Sequence, residues 1–238
     1  MSPADAADLL QFKKSFSKSE TLTNWKDDGS HPCDPKNVWI GIICSNGQIN
    51  SINVAGMDLQ GQPDFTTLES SEGLKAISLE NNSLVEPMPG INRLEYLKAF
   101  YADSNWFSGV IPSDFFQTLG SLKKLWLQRN NFFGQIPESV GELPNLKELH
   151  LEYNDFTGPI PTFSDSDILI HLDLSNNRLQ GEVDLMQAAT EVLGNGGLGS
   201  AYKAAMGNGV SVVVKRVREM NQMTKEVFDS EMNQMTKG

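Results

Sequence analysis

Cysteine is almost absent: 238 residues carry two, Cys33 and Cys44. A pair excludes a disulfide-dense small scaffold and a four-cysteine zinc site. Histidine is as scarce, with three residues. His31, Cys33 and Cys44 lie close in sequence but lack a fourth ligand, so no metal is expected. Apolar runs are short. None reaches the roughly 18 residues that a membrane span needs. No secretory leader is visible either, because Met1-Ser2-Pro3-Ala4-Asp5 passes into Ala6-Ala7-Asp8-Leu9-Leu10, which is short, amphipathic and interrupted by Asp. Positive charge is in deficit, with 19 Lys and Arg against 30 Asp and Glu and a net charge of -11. Residues 1–183 hold 13 against 24, whereas 184–238 hold 6 against 6, so the first region carries the whole excess. An acidic surface argues against nucleic-acid binding and is compatible with a basic partner.

What the chain has in abundance is a repeat. The pattern L-x-x-L-x-x-L-x-L-x-x-N-x-F-x-G-x-I-P is cleanest at Leu119-Leu122-Leu125-Leu127-Asn130-Phe132-Gly134-Ile136-Pro137. It returns at Leu143-Leu146-Leu149-Leu151-Asn154-Phe156-Gly158-Ile160-Pro161. Taking the asparagine as a marker gives Asn82, Asn105, Asn130, Asn154 and Asn177, with Met57 in a degenerate first copy, at intervals of 25, 23, 25, 24 and 23 residues. Six units exceed the roughly three that a solenoid needs. The L-x-L step alternates faces as a short parallel strand does. The asparagine amide can bond the backbone of neighbouring turns, and G-x-I-P turns the chain on the far side. The expected fold is α/β, a right-handed leucine-rich-repeat solenoid over residues 49–183 with an N-terminal cap over 1–48. A disulfide between Cys33 and Cys44 would hold that cap in an oxidising compartment, and a buried free pair is the plainer alternative.

Residues 6–61 resemble the cap of plant leucine-rich-repeat receptors. The resemblance is carried by Leu9-Leu10-x-Phe12-Lys13, Leu22-x-x-Trp25, Pro32-Cys33 and Trp39-Ile40-Gly41-Ile42-x-Cys44. The L-x-G-x-I-P repeat is the plant subtype. From Asp184 onward the sequence resembles the start of a receptor kinase domain, and its wording is similar to the pollen receptor-like kinases. Gly194-x-Gly196-x-x-Gly199 fits a glycine-rich phosphate loop, Val212-Val213-Val214-Lys215 fits the lysine strand, and Glu231 fits the helix whose Glu pairs with that lysine. In the family the lysine holds ATP phosphates, with Mg as partner ion. The catalytic and metal-binding segments of a kinase do not follow in this sequence, so 184–238 reads as a truncated, poorly ordered N-lobe fragment. No kinase activity and no cofactor are expected of it. Glu219-Met220-Asn221-Gln222-Met223-Thr224-Lys225 recurs at 231–237, which reads either as a charged helical tail or as a duplication or misassembled gene.

The resemblance implies a single-pass pollen-tube receptor whose extracellular repeats sense a secreted peptide or protein, with a co-receptor kinase as a further partner. The sequence shows no membrane span between Val183 and Asp184, where the family has one. A soluble decoy, an inhibitor-type solenoid and an incomplete kinase are the alternative readings. Solvent-facing strand positions give the candidate binding residues. They are Tyr101, Trp126, His150 and Asp173 at position eight, Asp103 and Glu152 at position ten, and Arg129 and Tyr153 at position eleven. Large exposed aromatics are frequent interface anchors, and acidic neighbours favour Lys or Arg on the partner. His150 and Asp173 are a possible pH-sensitive pair, against the plainer reading of two solvated side chains. Asn81-Asn82-Ser83 is a glycosylation sequon that would place a glycan at Asn81.

Overall fold

The computed structural model describes residues 3–163, 169–179, 189–196, 199–205 and 211–217. The chain divides into two units, 1–184 and 185–238.

The first unit is walled by two seven-stranded sheets. The L-x-L segments form the concave one. Gln48–Asn53, Ala76–Ser78, Ala99–Tyr101, Lys124–Trp126, Glu148–His150 and His171–Asp173 pair in parallel and in order, one per repeat. They are called rungs 1 to 6 below. The N-x-F segments return the chain along the second sheet, through Ser83–Glu86, Trp106–Gly109, Asn131–Gln135 and Asp155–Gly158. Short 3-10 turns at Phe65–Leu68 and Ile91–Arg93, and one helical turn at Glu138–Gly141, fill the corners.

Leucines of the repeat point between the sheets: Leu119, Leu122, Leu125 and Leu127 are fully buried, as are Leu149 and Leu97. Phe107, Phe132 and Phe156 stack in a spine, with ring centroids 6.4 and 6.1 Å apart. The marker asparagines form a ladder. Asn130 Nδ2 donates to the carbonyls of Ala102, Leu127 and Gln128 at 3.0–3.2 Å, and its Oδ1 accepts from Phe107 N at 3.1 Å. Asn82, Asn105, Asn154 and Asn177 repeat the arrangement one rung away each time. Each amide therefore bridges its own turn to the one before, satisfying backbone groups that no helix satisfies.

The cap closes the open edge of both sheets, which would otherwise invite association. Phe16–Lys18 pairs antiparallel with Gln60–Gly61, and Ile42–Ser45 pairs antiparallel with rung 1. The helix Pro3–Lys14 buries Leu9 and Phe12, and Phe12 packs on Phe16 and Phe65. Trp25 and Trp39 pack at 5.8 Å, with Trp25 Nε1 donating to the Ile40 carbonyl at 2.8 Å. Cys33 and Cys44 form the disulfide. Gly41 has φ +75° and lies so near the Asn53 carbonyl that a Cβ has no room.

In the second unit, Ala189–Gly196, Gly199–Ala205 and Ser211–Val217 form an antiparallel sheet. Its register sets Gly194, Ala201 and Lys215 on one line across the three strands. Glu231 and the duplicated segment lie outside the described residues. No helix among the described residues is long and apolar enough to cross a membrane.

Candidate ligand-binding face

Residues alternate along each rung, so positions six, eight and ten of the repeat face outward on the concave sheet. Position eight builds an aromatic stripe, which His171 of position six extends. Tyr101 meets Trp126 edge-on at 5.0 Å, Trp126 meets His150 at 4.8 Å, and His150 stacks on His171 at 4.6 Å. The rings cover one another, so Tyr101, Trp126 and His150 are half-buried rather than free. Burial raises the Tyr101 hydroxyl pKa, with Glu148 and Glu80 adding to it.

Position ten builds an acidic row beside the stripe: Glu80, Asp103, Gln128 and Glu152 on rungs 2 to 5. Ser78 Oγ donates to Glu80 at 2.7 Å and Ser104 Oγ to Asp103 Oδ2 at 3.2 Å. The remaining oxygens fare worse. Asp103 Oδ1, Gln128 Oε1, Glu152 Oε2 and the neighbouring Trp126 Nε1 are buried and have no hydrogen-bond partner within the protein. Burial first, and then the adjacent Glu80 carboxylate, push the Asp103 carboxyl up to about 6.

Basic groups on this face are already engaged. Lys124 bridges Glu148 at 2.8 Å, which raises its pKa. The Arg129 guanidinium lies 4.5 Å over the Tyr153 ring. Neither Glu80, Asp103 nor Asp173 has a Lys or Arg partner among the described ion pairs. Asp173 instead accepts from the Ser175 amide at 2.9 Å.

The structure thus brings Tyr101, Asp103, Trp126, His150, Glu152 and Asp173 onto one continuous face, with Arg129 and Tyr153 along its rim. Two expectations need correction. His150 does not pair with the Asp173 side chain. Its Nδ1 approaches Glu152 Oε2 at 3.6 Å while its ring stacks on His171. Nor is it solvated, since its side chain is only 15% exposed. Position six was overlooked. Lys124, Glu148 and His171 stand in register there, and the same alternation that exposes position eight would have found them.

Position eleven holds a further surprise. Asn81, Ser104, Arg129, Tyr153 and Asn176 all have φ between 52° and 57°. Gly56 occupies the same place in rung 1 with φ 65°. Every repeat turns through a left-handed residue just before its marker, so the conformation belongs to the repeat and not to the site. Asn81 is exposed there, open to a glycan. Among the described residues no group of three or more His, Cys, Asp or Glu is placed to hold a metal ion.

Comparison with known proteins agrees with this architecture. Residues 2–45 match the leucine rich repeat N-terminal domain family, and residues 121–143, 145–165 and 169–186 match leucine rich repeats. Pollen receptor-like kinase 2 of Arabidopsis thaliana is 36% identical over 177 residues, which cover 74% of this chain and 26% of that protein. The chain therefore spans about a quarter of the length of that relative. A crystal structure of a pollen receptor kinase 3 superposes with a TM-score of 0.71 at 37% identity, covering 77% of this chain and 88% of that one. The Arabidopsis receptor kinase HAESA, solved in complex with the peptide hormone IDA and the co-receptor SERK1, superposes with a TM-score of 0.68 at 28% identity, over 75% of this chain and 30% of that one.

Proposed function

This chain belongs to the leucine-rich-repeat pollen receptor-like kinase family, and on that footing we propose that its concave face recognises a secreted peptide or protein ligand. The observation that carries the reading is the face itself. An aromatic stripe four rings long lies beside a row in which three buried oxygens make no hydrogen bond within the protein. A buried acceptor without a partner is costly, and a folded chain retains such atoms where something else supplies the donor. Half-buried Trp and Tyr give a partner large, rigid contact area at little entropic cost. The acidity of the row favours a basic ligand. The structural likeness to HAESA, which was solved with a peptide hormone and a co-receptor, supports peptide recognition with a co-receptor kinase as a second partner. As part of the same proposal, and on the family resemblance, the repeats lie outside the pollen-tube plasma membrane and the signal serves tube growth. Phosphoryl transfer is not part of this proposal.

The test uses binders selected from an unconstrained displayed peptide library on the full, oxidised chain. Replacing Tyr101, Trp126 and Tyr153 together by Ala is expected to weaken those binders by at least about 2 kcal/mol, roughly thirtyfold, as interface anchors do. Titration calorimetry reads the affinity and circular dichroism confirms the fold. Unchanged affinity in a folded variant would remove the concave face as the site.

A further inference from the structure

The uncompensated carboxylates on the concave face are not evenly spread. Glu80 and Asp103 lie side by side on rungs 2 and 3. Glu152 and Asp173 lie on rungs 5 and 6. Between them rung 4 presents Trp126 and the neutral Gln128. Along the solenoid axis the charge therefore reads acidic, neutral, acidic, with Trp126 beside the neutral place in the middle of the aromatic stripe.

Neighbouring strands of a sheet are about 4.8 Å apart. From midway between rungs 2 and 3 to midway between rungs 5 and 6 is three spacings, about 14 Å. Rung 4 stands at the midpoint. An extended peptide advances about 3.4 Å per residue and shows the same side every second residue. Four residues cover about 14 Å, and residues i, i+2 and i+4 share a face. From this match we infer that the ligand is an extended peptide crossing the rungs, with Lys or Arg at i and i+4 and an apolar or aromatic side chain at i+2. The two cations answer the two carboxylate pairs, and the central side chain lies on Trp126.

Local chemistry agrees with that assignment. Asp103 Oδ1 and Glu152 Oε2, one in each acidic pair, are buried oxygens that make no hydrogen bond, His150 Nδ1 standing 3.6 Å from the second. Terminal torsions of carboxylate side chains are broad, so these oxygens can swing toward an incoming ammonium or guanidinium. The central rung adds an unpartnered donor in Trp126 Nε1 and an unpartnered acceptor in Gln128 Oε1, which suit the backbone groups of a crossing peptide. The resident cations compete little, because Lys124 already holds Glu148 and Arg129 stacks on Tyr153.

This inference rests on the concave face being the ligand site, and one experiment separates the two. A displayed library of unstructured dodecamers is selected on the full, oxidised chain and in parallel on Trp126→Ala. The expected result is enrichment of basic-x-apolar-x-basic sequences on the wild type alone. A synthetic representative then loses about tenfold or more in affinity when either basic residue becomes Ala, or when one is moved to i+3. The paired variant Glu80→Gln with Asp103→Asn makes the peptide insensitive to Ala at one basic position. Glu152→Gln with Asp173→Asn does the same for the other. Binders that depend on Trp126 but show no such spacing would overturn the inference and leave the concave site standing. Binders that hold Trp126→Ala as tightly as wild type, or no binders, would overturn both.

Discussion

Two polar ladders run along this solenoid, two residues apart on rungs 2 to 5, and they are satisfied in opposite ways. At the marker position each asparagine carries both a donor and an acceptor, and the register of the strands delivers matching backbone groups to it. Asn105 donates to Leu79, Ala102 and Asp103 and accepts from Leu84. Two positions earlier Asp103, Gln128 and Glu152 each leave a buried oxygen without a hydrogen bond, and Glu80 accepts from Ser78. Folding completes the first ladder and leaves the second incomplete. The difference lies in chemistry as well as in depth, since a buried amide can be answered by the backbone, whereas a half-buried carboxylate beside a carboxylate needs a proton or a cation.

The sharpest way to break the comparison is to empty one place on each ladder. Asn130→Ala removes the donor for three carbonyls and the acceptor for Phe107 N, all at the join between two turns. Orphaning several buried backbone groups at once should cost about 3–5 kcal/mol. Urea unfolding at neutral pH, with the disulfide intact, measures it. A loss below about 1 kcal/mol would mean the ladder reports the fold without supporting it.

On the second ladder the sign should reverse. The folded Asp103 carboxyl titrates at about 6, above the roughly 3.9 of an unfolded Asp. The native state therefore binds the proton more tightly. Stability is highest below about pH 4 with respect to this group, and it declines as pH rises through about 6. The group is only partly buried, so screening trims the effect to on the order of 1 kcal/mol. Asp103→Asn should stabilise the chain by that amount at pH 7 and flatten this part of its pH profile, while weakening a basic ligand. Thermal unfolding at pH 4.5 and 7 gives the comparison. Equal stabilisation at both would show that the carboxylate opposition is not its source.

That contrast also explains what the sequence disclosed and what it hid. Asn82 through Asn177 announce themselves by spacing, because a ladder needs the same residue on every turn. Phe107, Phe132 and Phe156 do so for the same reason. Cys33 and Cys44 flanking Trp39 pointed to the bonded cap. The concave face has no such periodicity, since each rung contributes a different side chain. Strand alternation correctly placed Tyr101, Trp126 and Glu152 on this face, but which neighbour His150 meets depends on how its ring turns toward His171 and Glu152, which alternation does not specify. Missing Lys124, Glu148 and His171 came from reading the alternation forward from position eight only. The left-handed turn was hidden by Arg129 and Tyr153, although Gly56, Asn81 and Asn176 at the same position carry its signature.

That turn supplies the smallest test. Arg129 is exposed and holds φ 54°, a conformation costing a non-glycine residue about 1–2 kcal/mol, and less for Asn. Its stack on Tyr153 returns about 0.5–1 kcal/mol at an exposed site. Arg129→Asn relieves the strain and forfeits the stack, so a net gain of about 0.5 kcal/mol is expected. The substitution also deletes a positive charge from the rim of an acidic face. A basic peptide should then bind about twofold tighter at low salt, and the gain should fade as salt rises. Greater stability with unchanged affinity would place Arg129 beyond the electrostatic reach of the ligand. Lower stability would mean that the stack outweighs the strain, and that the rim is rigidified by Arg129 rather than merely tolerating it.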